Sequence, residues 1–180
     1  MTSQAWIQEL EEAHQKNQVL IANQLMNLST ETYNKKLDPE SWSVLECLEH
    51  LNIYARYYQP TIKAAIQKAN NTSPTTAYKS GWFGKISIDG VRPNNPKKNK
   101  TLKKYNTLQS KLDQGVLEEF LQHQKQWTAI IKAAKQVNLN KRLVPVEFLR
   151  VVKLKIGDGL AFALWHETRH IQQALRVINS

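Results

Sequence analysis

Apolar residues recur at helical spacing from the start of the chain. Trp6, Ile7, Leu10, Val19 or Leu20, Ala22, Leu25 and Met26 fall near one face of a 3.6-residue period, with His14 among them and no proline or glycine between. This predicts a long first helix over residues 5–27, followed by a loop through Pro39. Ser43-Val-Leu-Glu46 then has the form of a capping box, in which the serine hydroxyl accepts from an orphan N–H and the glutamate reaches back. It opens a second helix that carries Leu48, Leu51, Ala55 and Ile62 to about Ala69. Pro60 lies inside that helix, and its missing N–H and its ring predict a kink or break near Gln59.

The period is lost over residues 70–112, where NNTSP, GWFGK and RPNNPKKNK read as loop with short strands. Within that stretch TLKKYNTLQSKL reads as one turn-rich helix. Helical spacing returns from Asp113 to Val137 through Val116, Leu117, Phe120, Trp127, Ile130, Ile131 and Ala134. Residues 138–156 contain Pro145 and the β-rich run FLRVVKLKI, and read as extended. A last helix begins near Gly157-Asp158 and reaches about Ile178. Four helices of about 20 to 25 residues, each about 30 to 38 Å long, predict an all-α four-helix bundle in one domain over residues 1–180. A connection of more than 40 residues joins the second helix to the third. Neither an internal repeat nor a second hydrophobic core is evident.

Composition agrees with a globular chain: 41% of the 180 residues are hydrophobic and 22% charged. A domain of this size buries roughly two thirds of its unfolded surface, so it needs no disulfide or metal merely to fold. The lone cysteine, Cys47, excludes an internal disulfide. MTSQAWIQELEEAHQ has acids within its first turns and does not read as a signal peptide. No apolar run approaches the roughly 20 residues of a membrane span, so no membrane partner is expected and the cytoplasm is the default location.

The formal net charge of +10 is mostly local. Between Lys79 and Lys111 lie Lys79, Lys85, Arg92, Lys97, Lys98, Lys100, Lys103, Lys104 and Lys111, against Asp89 alone. With Tyr78, Trp82, Phe83 and Tyr105 as stacking surfaces, this segment could contact a nucleic acid. Only one of the nine cations is Arg, whereas bidentate phosphate recognition favours Arg. A solvated lysine-rich connection is the better reading, and a nucleic-acid partner is not expected.

The last helix holds Trp165-His166-Glu167-Thr168-Arg169-His170. Histidines at i and i+4 lie about 40° apart around a helix and can reach one metal ion. HETRH also fits the H-E-x-x-H pattern of zinc proteases, but those need a third ligand downstream. Arg176 occupies the place of the metzincin histidine, and no His, Asp or Glu follows His170. A third ligand must come from upstream, from His14, His50 or His123. His50 sits among Leu48, Leu51 and Ile53, two turns past the cap. His123, in a polar stretch, reads as exposed, and His14 is open to either reading.

Pro39-Glu-Ser-Trp42-Ser-Val-Leu-Glu46-Cys-Leu-Glu-His50-Leu resembles the second-helix signature of the DinB/YfiT-like superfamily. His166-Glu-Thr-Arg-His170-Ile-Gln-Gln173 is similar to its fourth-helix signature, and Lys153-Leu-Lys-Ile-Gly-Asp158 resembles the lead into that helix. The resemblance implies a four-helix bundle with a divalent metal held by His50, His166 and His170. It also implies small-molecule chemistry, since some members are thiol S-transferases or isomerases that use a low-molecular-weight thiol, and it makes a homodimer plausible. Helical geometry points the same way. Phe162, Ala163, His166, His170 and Gln173 share one face of the last helix, and Ser43, Glu46, Cys47, His50, Tyr54 and Tyr57 share one of the second. Three protein ligands and a vacant position make a catalytic rather than a closed centre.

Neighbouring residues have two readings each. Glu167, about 60° around the helix from His170, is the candidate base, or else it bonds a ligand imidazole or a surface Arg. Glu46 is a cap residue rather than a base, Cys47 a small buried hydrophobe rather than a metal ligand, and Gln173 either orients a ligand or fills space. Arg169 is expected in a helix-surface salt bridge rather than against an anionic substrate. The leading expectation is an enzyme dependent on zinc, nickel, iron or manganese, acting on a small molecule by thiol transfer or hydrolysis. The alternatives are a non-catalytic metal- or ligand-binding bundle and, last, a nucleic-acid-binding protein.

Overall fold

A computed structural model describes residues 1–97 and 101–180, so Lys98 and Lys100 of the lysine-rich segment lie outside the described residues. The chain is mostly helical. Its long helices are α1 (Ser3–Gln24), α3 (Val44–Lys68), α5 (Gly115–Ala134) and α6 (Ile156–Ile178). Two shorter ones, α2 (Thr30–Asn34) and α4 (Trp82–Val91), and a 3-10 turn at Lys103–Tyr105 lie in the connections. A two-stranded antiparallel hairpin, β1 (Arg142–Val146) and β2 (Leu149–Lys155), leads directly into α6. No helix of the described residues is long and apolar enough to cross a membrane.

Local chemistry places the helix starts. Thr2 caps α1 by accepting from the Ala5 N–H, and Ser29 caps α2 in the same way. The capping box at Ser43 and Glu46 is complete, so α3 begins where the sequence predicts. It then runs through Pro60 without a break. The predicted extended stretch is the hairpin, which makes the chain other than purely α-helical. Pro145 pairs with Lys153 beside a register shift, as proline can in a sheet with no interior strand.

Short strands predicted within residues 70–112 are absent among the described residues, apart from one isolated bridge between Thr2 and Ala77. The segment's regular element is the helix α4, which Gly84, Gly90 and three β-branched residues disfavour locally. Tertiary contact stabilises it instead. Asp158, in the first turn of α6 and buried, accepts from the Tyr78 hydroxyl, the Ser80 hydroxyl and the Gly81 N–H. A Cβ on Gly84 would overlap the Asp158 carboxyl group, so this approach requires glycine. The turn-rich helix expected over TLKKYNTLQSKL contracts to the single 3-10 turn.

The most extensive helix contact is α3 on α6, followed by α3 on α5, with α1 against α6. One hydrophobic core was expected, and the structure has two. The first gathers Trp6, Leu10, Ile62, Trp127, Ile131 and Leu164, and the second Ile21, Leu25, Leu48, Phe120 and Ile171. Between them, in sequence order along the long helices, come the buried polar residues Asn17, Asn52, Gln124, His166 and Glu167, with His50 next to Leu51 at the edge of the second core. Buried polar groups need hydrogen-bond partners, and this polar layer divides the apolar interior.

Candidate metal centre

The α3–α6 contact brings His50, His166 and His170 together. Their ligand-capable nitrogens all lie within 4.8 Å of one another, with His50 and His166 buried and His170 partly open. The two Nε2 atoms of His50 and His166 are 3.2 Å apart. Two imidazole nitrogens bound to one ion at 2.0–2.1 Å stand about 2.8 to 3.4 Å apart for octahedral to tetrahedral angles. The observed spacing fits that window.

Hydrogen bonds orient two of the rings. The Tyr105 carbonyl can only accept, so His50 Nδ1 donates to it at 2.7 Å and Nε2 keeps its lone pair. In the same way His170 Nδ1 donates to the side-chain oxygen of Gln173 at 2.9 Å. Gln173 thus orients a ring, the first of its two predicted roles. Such partners of a ligand imidazole set its tautomer and raise its basicity.

Burial disfavours charging these rings. It pushes the His50 pKa down to about 3, and burial with the field of His50 pushes His170 down to about 3. His166 lies well below the usual histidine range, from burial and then from His170 and His50. All three are neutral at pH 7, the form that donates a lone pair.

Aromatic side chains wall the cluster. Trp42 stacks on His170 with centroids 5.6 Å apart and lies 4.7 Å from His50. Tyr54 is 4.3 Å from His166, and Phe162 is parallel to His166 at 5.8 Å. Burial raises the Tyr54 phenol to about 12, so it is a donor at neutral pH. Cys47 is buried with its thiol pKa pushed up by burial, as its reading as a small hydrophobe requires. Trp42 and the Tyr105 carbonyl were not foreseen as site components. The tryptophan stood beside the cap in the sequence; a backbone carbonyl carries no sequence signal.

Other histidines lie elsewhere. His14 is buried against Thr128 and Glu167. His123, expected to be exposed, is 8% exposed. Its ring bonds Gln59 Oε1 at 2.7 Å while the Gln59 amide donates to its carbonyl, an exchange that offsets the cost of burying a polar ring. Glu167, the candidate base, is not in the histidine cluster. Its oxygens accept from Asn17 on α1 and Gln124 on α5.

The lysine-rich connection is packed onto this site more closely than a solvated linker would be. Arg169, expected in a surface salt bridge, instead donates to the carbonyls of Arg92, Asn95 and Lys97, because the C-cap of α4 and the loop after it present oxygens it can satisfy. Thr107 donates to the Glu46 carbonyl, and the Asn106 side chain accepts from Trp42. Glu46 keeps its capping role and also pairs with Lys36. Of the four aromatics offered as stacking surfaces, Tyr78 and Tyr105 are buried.

A cleft of about 750 Å³ lies by Ile7, Glu11, Thr75, Lys135 and Leu139, and among the described residues neither a histidine nor a cysteine lines it. No curated protein matches the chain, and no solved structure matches it. A family model, that of the DinB superfamily, matches residues 9–174. Members of that superfamily commonly bind metals. With nearly its whole length matched and three histidines gathered between its second and last long helices, the chain belongs to the DinB superfamily.

Proposed function

We propose that the chain is a divalent-metal-dependent enzyme acting on a small molecule, of thiol S-transferase or hydrolase type, with His50, His166 and His170 as the metal ligands. In this reading α1, α3, α5 and α6 form a four-helix bundle of DinB/YfiT type, one domain over residues 1–180. The observation that carries it is the 3.2 Å approach of two neutral imidazoles with a third beside them. When bound, a zinc, nickel, iron or manganese ion supplies the Lewis acidity that activates a coordinated thiol or water at neutral pH.

The chain's own residues do the rest. Tyr105 and Gln173 hold two rings in the tautomer that leaves Nε2 free. Trp42, Tyr54 and Phe162 exclude water and present apolar walls to a substrate. The Tyr54 hydroxyl is available to donate to a substrate oxygen. Approach is from the side of His170, the partly exposed ligand. Glu167 has no direct part in this centre, since its carboxylate is held by residues of α1 and α5.

The test is metal analysis of freshly purified protein, followed by turnover of electrophilic substrates with a panel of low-molecular-weight thiols and of esters with water. Each is run with and without chelator. Turnover that needs a thiol and is lost to chelator supports transfer, and chelator-sensitive turnover without thiol supports hydrolysis. Bound metal without either reaction would overturn the enzyme reading and leave a metal-binding bundle.

A further inference from the structure

A second group of buried polar side chains lies between α1, α5 and α6, centred on Glu167. His14, Gln124 and Glu167 are 2%, 4% and 3% exposed. The Thr128 hydroxyl donates to the Gln124 carbonyl, so its lone pairs face His14 Nε2 at 3.0 Å and Gln18 Nε2 at 3.3 Å. His14 Nε2 therefore carries the proton, and in the neutral ring Nδ1 is a bare lone pair. That atom has no hydrogen-bond partner and faces Glu167 Oε1 at 3.8 Å.

The Gln124 amide donates to Glu167 Oε2 at 3.0 Å, which fixes its orientation and leaves its buried Oε1 without a partner. Asn17 Nδ2 supplies the other contact to Glu167, at 3.3 Å. Among the described residues no Lys or Arg pairs with this carboxylate. The result is a buried carboxylate that accepts from two amide N–H groups and faces an imidazole nitrogen with no hydrogen-bond partner, beside a glutamine whose amide oxygen also has none. Buried polar atoms left without a partner, as His14 Nδ1 and Gln124 Oε1 are, are costly.

We infer that His14, Glu167 and Gln124 form a second cation site, separate from the histidine cluster and taking a first-row divalent ion. The donor set, one imidazole with carboxylate and amide oxygens, suits such ions. An ion about 2.1 Å from both His14 Nδ1 and Glu167 Oε1 would subtend about 130° across their separation, so neither side chain has to move far.

The probe is Co²⁺, added to the metal-stripped full-length protein and counted by equilibrium dialysis, with its visible d–d absorption reporting each site. Wild type should take up two ions per chain. His14→Ala and Glu167→Gln should each take up one, and His50→Ala should lose the other. Glu167→Gln keeps the side chain's size, so it decides the matter if His14→Ala does not fold by circular dichroism. One ion in wild type, kept in both of these variants and lost in His50→Ala, would overturn this site and leave the histidine centre standing. One ion lost in both and kept in His50→Ala would support this site and sink the other.

Discussion

His50 on α3 donates its Nδ1 proton to the main-chain carbonyl of Tyr105, 55 residues later, at 2.7 Å. A candidate ligand is thereby oriented by the lysine-rich connection rather than by a side chain of its own helix. That connection is anchored again at Arg169, the residue before His170, through three carbonyls. The segment that carries most of the chain's net charge also fixes the geometry of the site.

The ligand set makes the first prediction. His50→Ala, His166→Ala or His170→Ala should each abolish tight binding at the cluster, measured by calorimetric titration of Zn²⁺ into the chelator-stripped protein. Helical circular dichroism should persist, because two apolar cores hold the helices without a metal. His123→Ala should bind at the cluster as wild type does, since that ring pairs with Gln59 and Glu119.

Gln173 acts on the metal only through His170. Removing it in Gln173→Ala should weaken affinity at the cluster by about 10- to 100-fold. Gln173→Glu, which keeps an acceptor for Nδ1–H, should restore it. Equal affinity in wild type and Gln173→Ala would show that the hydrogen bond does not tune the ring.

Acid should destabilise the metal-free chain through the same rings. Below about pH 6.5 the unfolded state takes up protons that the buried His50, His166 and His170 refuse. The unfolded state then binds more protons than the folded one, so stability rises with pH across this window. It is fully present above pH 6.5 and is lost as pH falls toward 3, by up to ~1.4 kcal/mol per pH unit for each ring. Urea denaturation at stepped pH reads this directly. The slope should flatten when His50 is replaced by a neutral residue.

Gly84→Ala should cost roughly 1 to 3 kcal/mol, the usual penalty for forcing atoms into a filled interior. Its new methyl group would meet the Asp158 carboxyl group, which already accepts from Tyr78, Ser80 and Gly81. Chemical denaturation measures the loss. Gly115→Ala is the control, because its nearest neighbour is the Asp113 Oδ1 at 3.0 Å, on an exposed side chain held, among the described residues, only by the Gly115 N–H it accepts from.

Periodicity, caps and the paired histidines were legible because they are local. The apolar spacing of α1, α3, α5 and α6, the capping box at Ser43 and the i, i+4 placement of His166 and His170 depend on residues within a turn or two of one another. The third histidine was legible through its resemblance to a family signature and its place on a polar stripe. Other features depended on contacts between segments distant in sequence. The helix α4 has weak intrinsic propensity and exists because Asp158 and Arg169 bind its two ends. His123 and Arg169 found partners that no local pattern specifies, Gln59 in one case and backbone carbonyls in the other. Glu167 lies beside a ligand in sequence, yet its carboxylate turns to Asn17 and Gln124. Consecutive residues on a helix point about 100° apart, so adjacency in the chain placed it next to a different pair of helices.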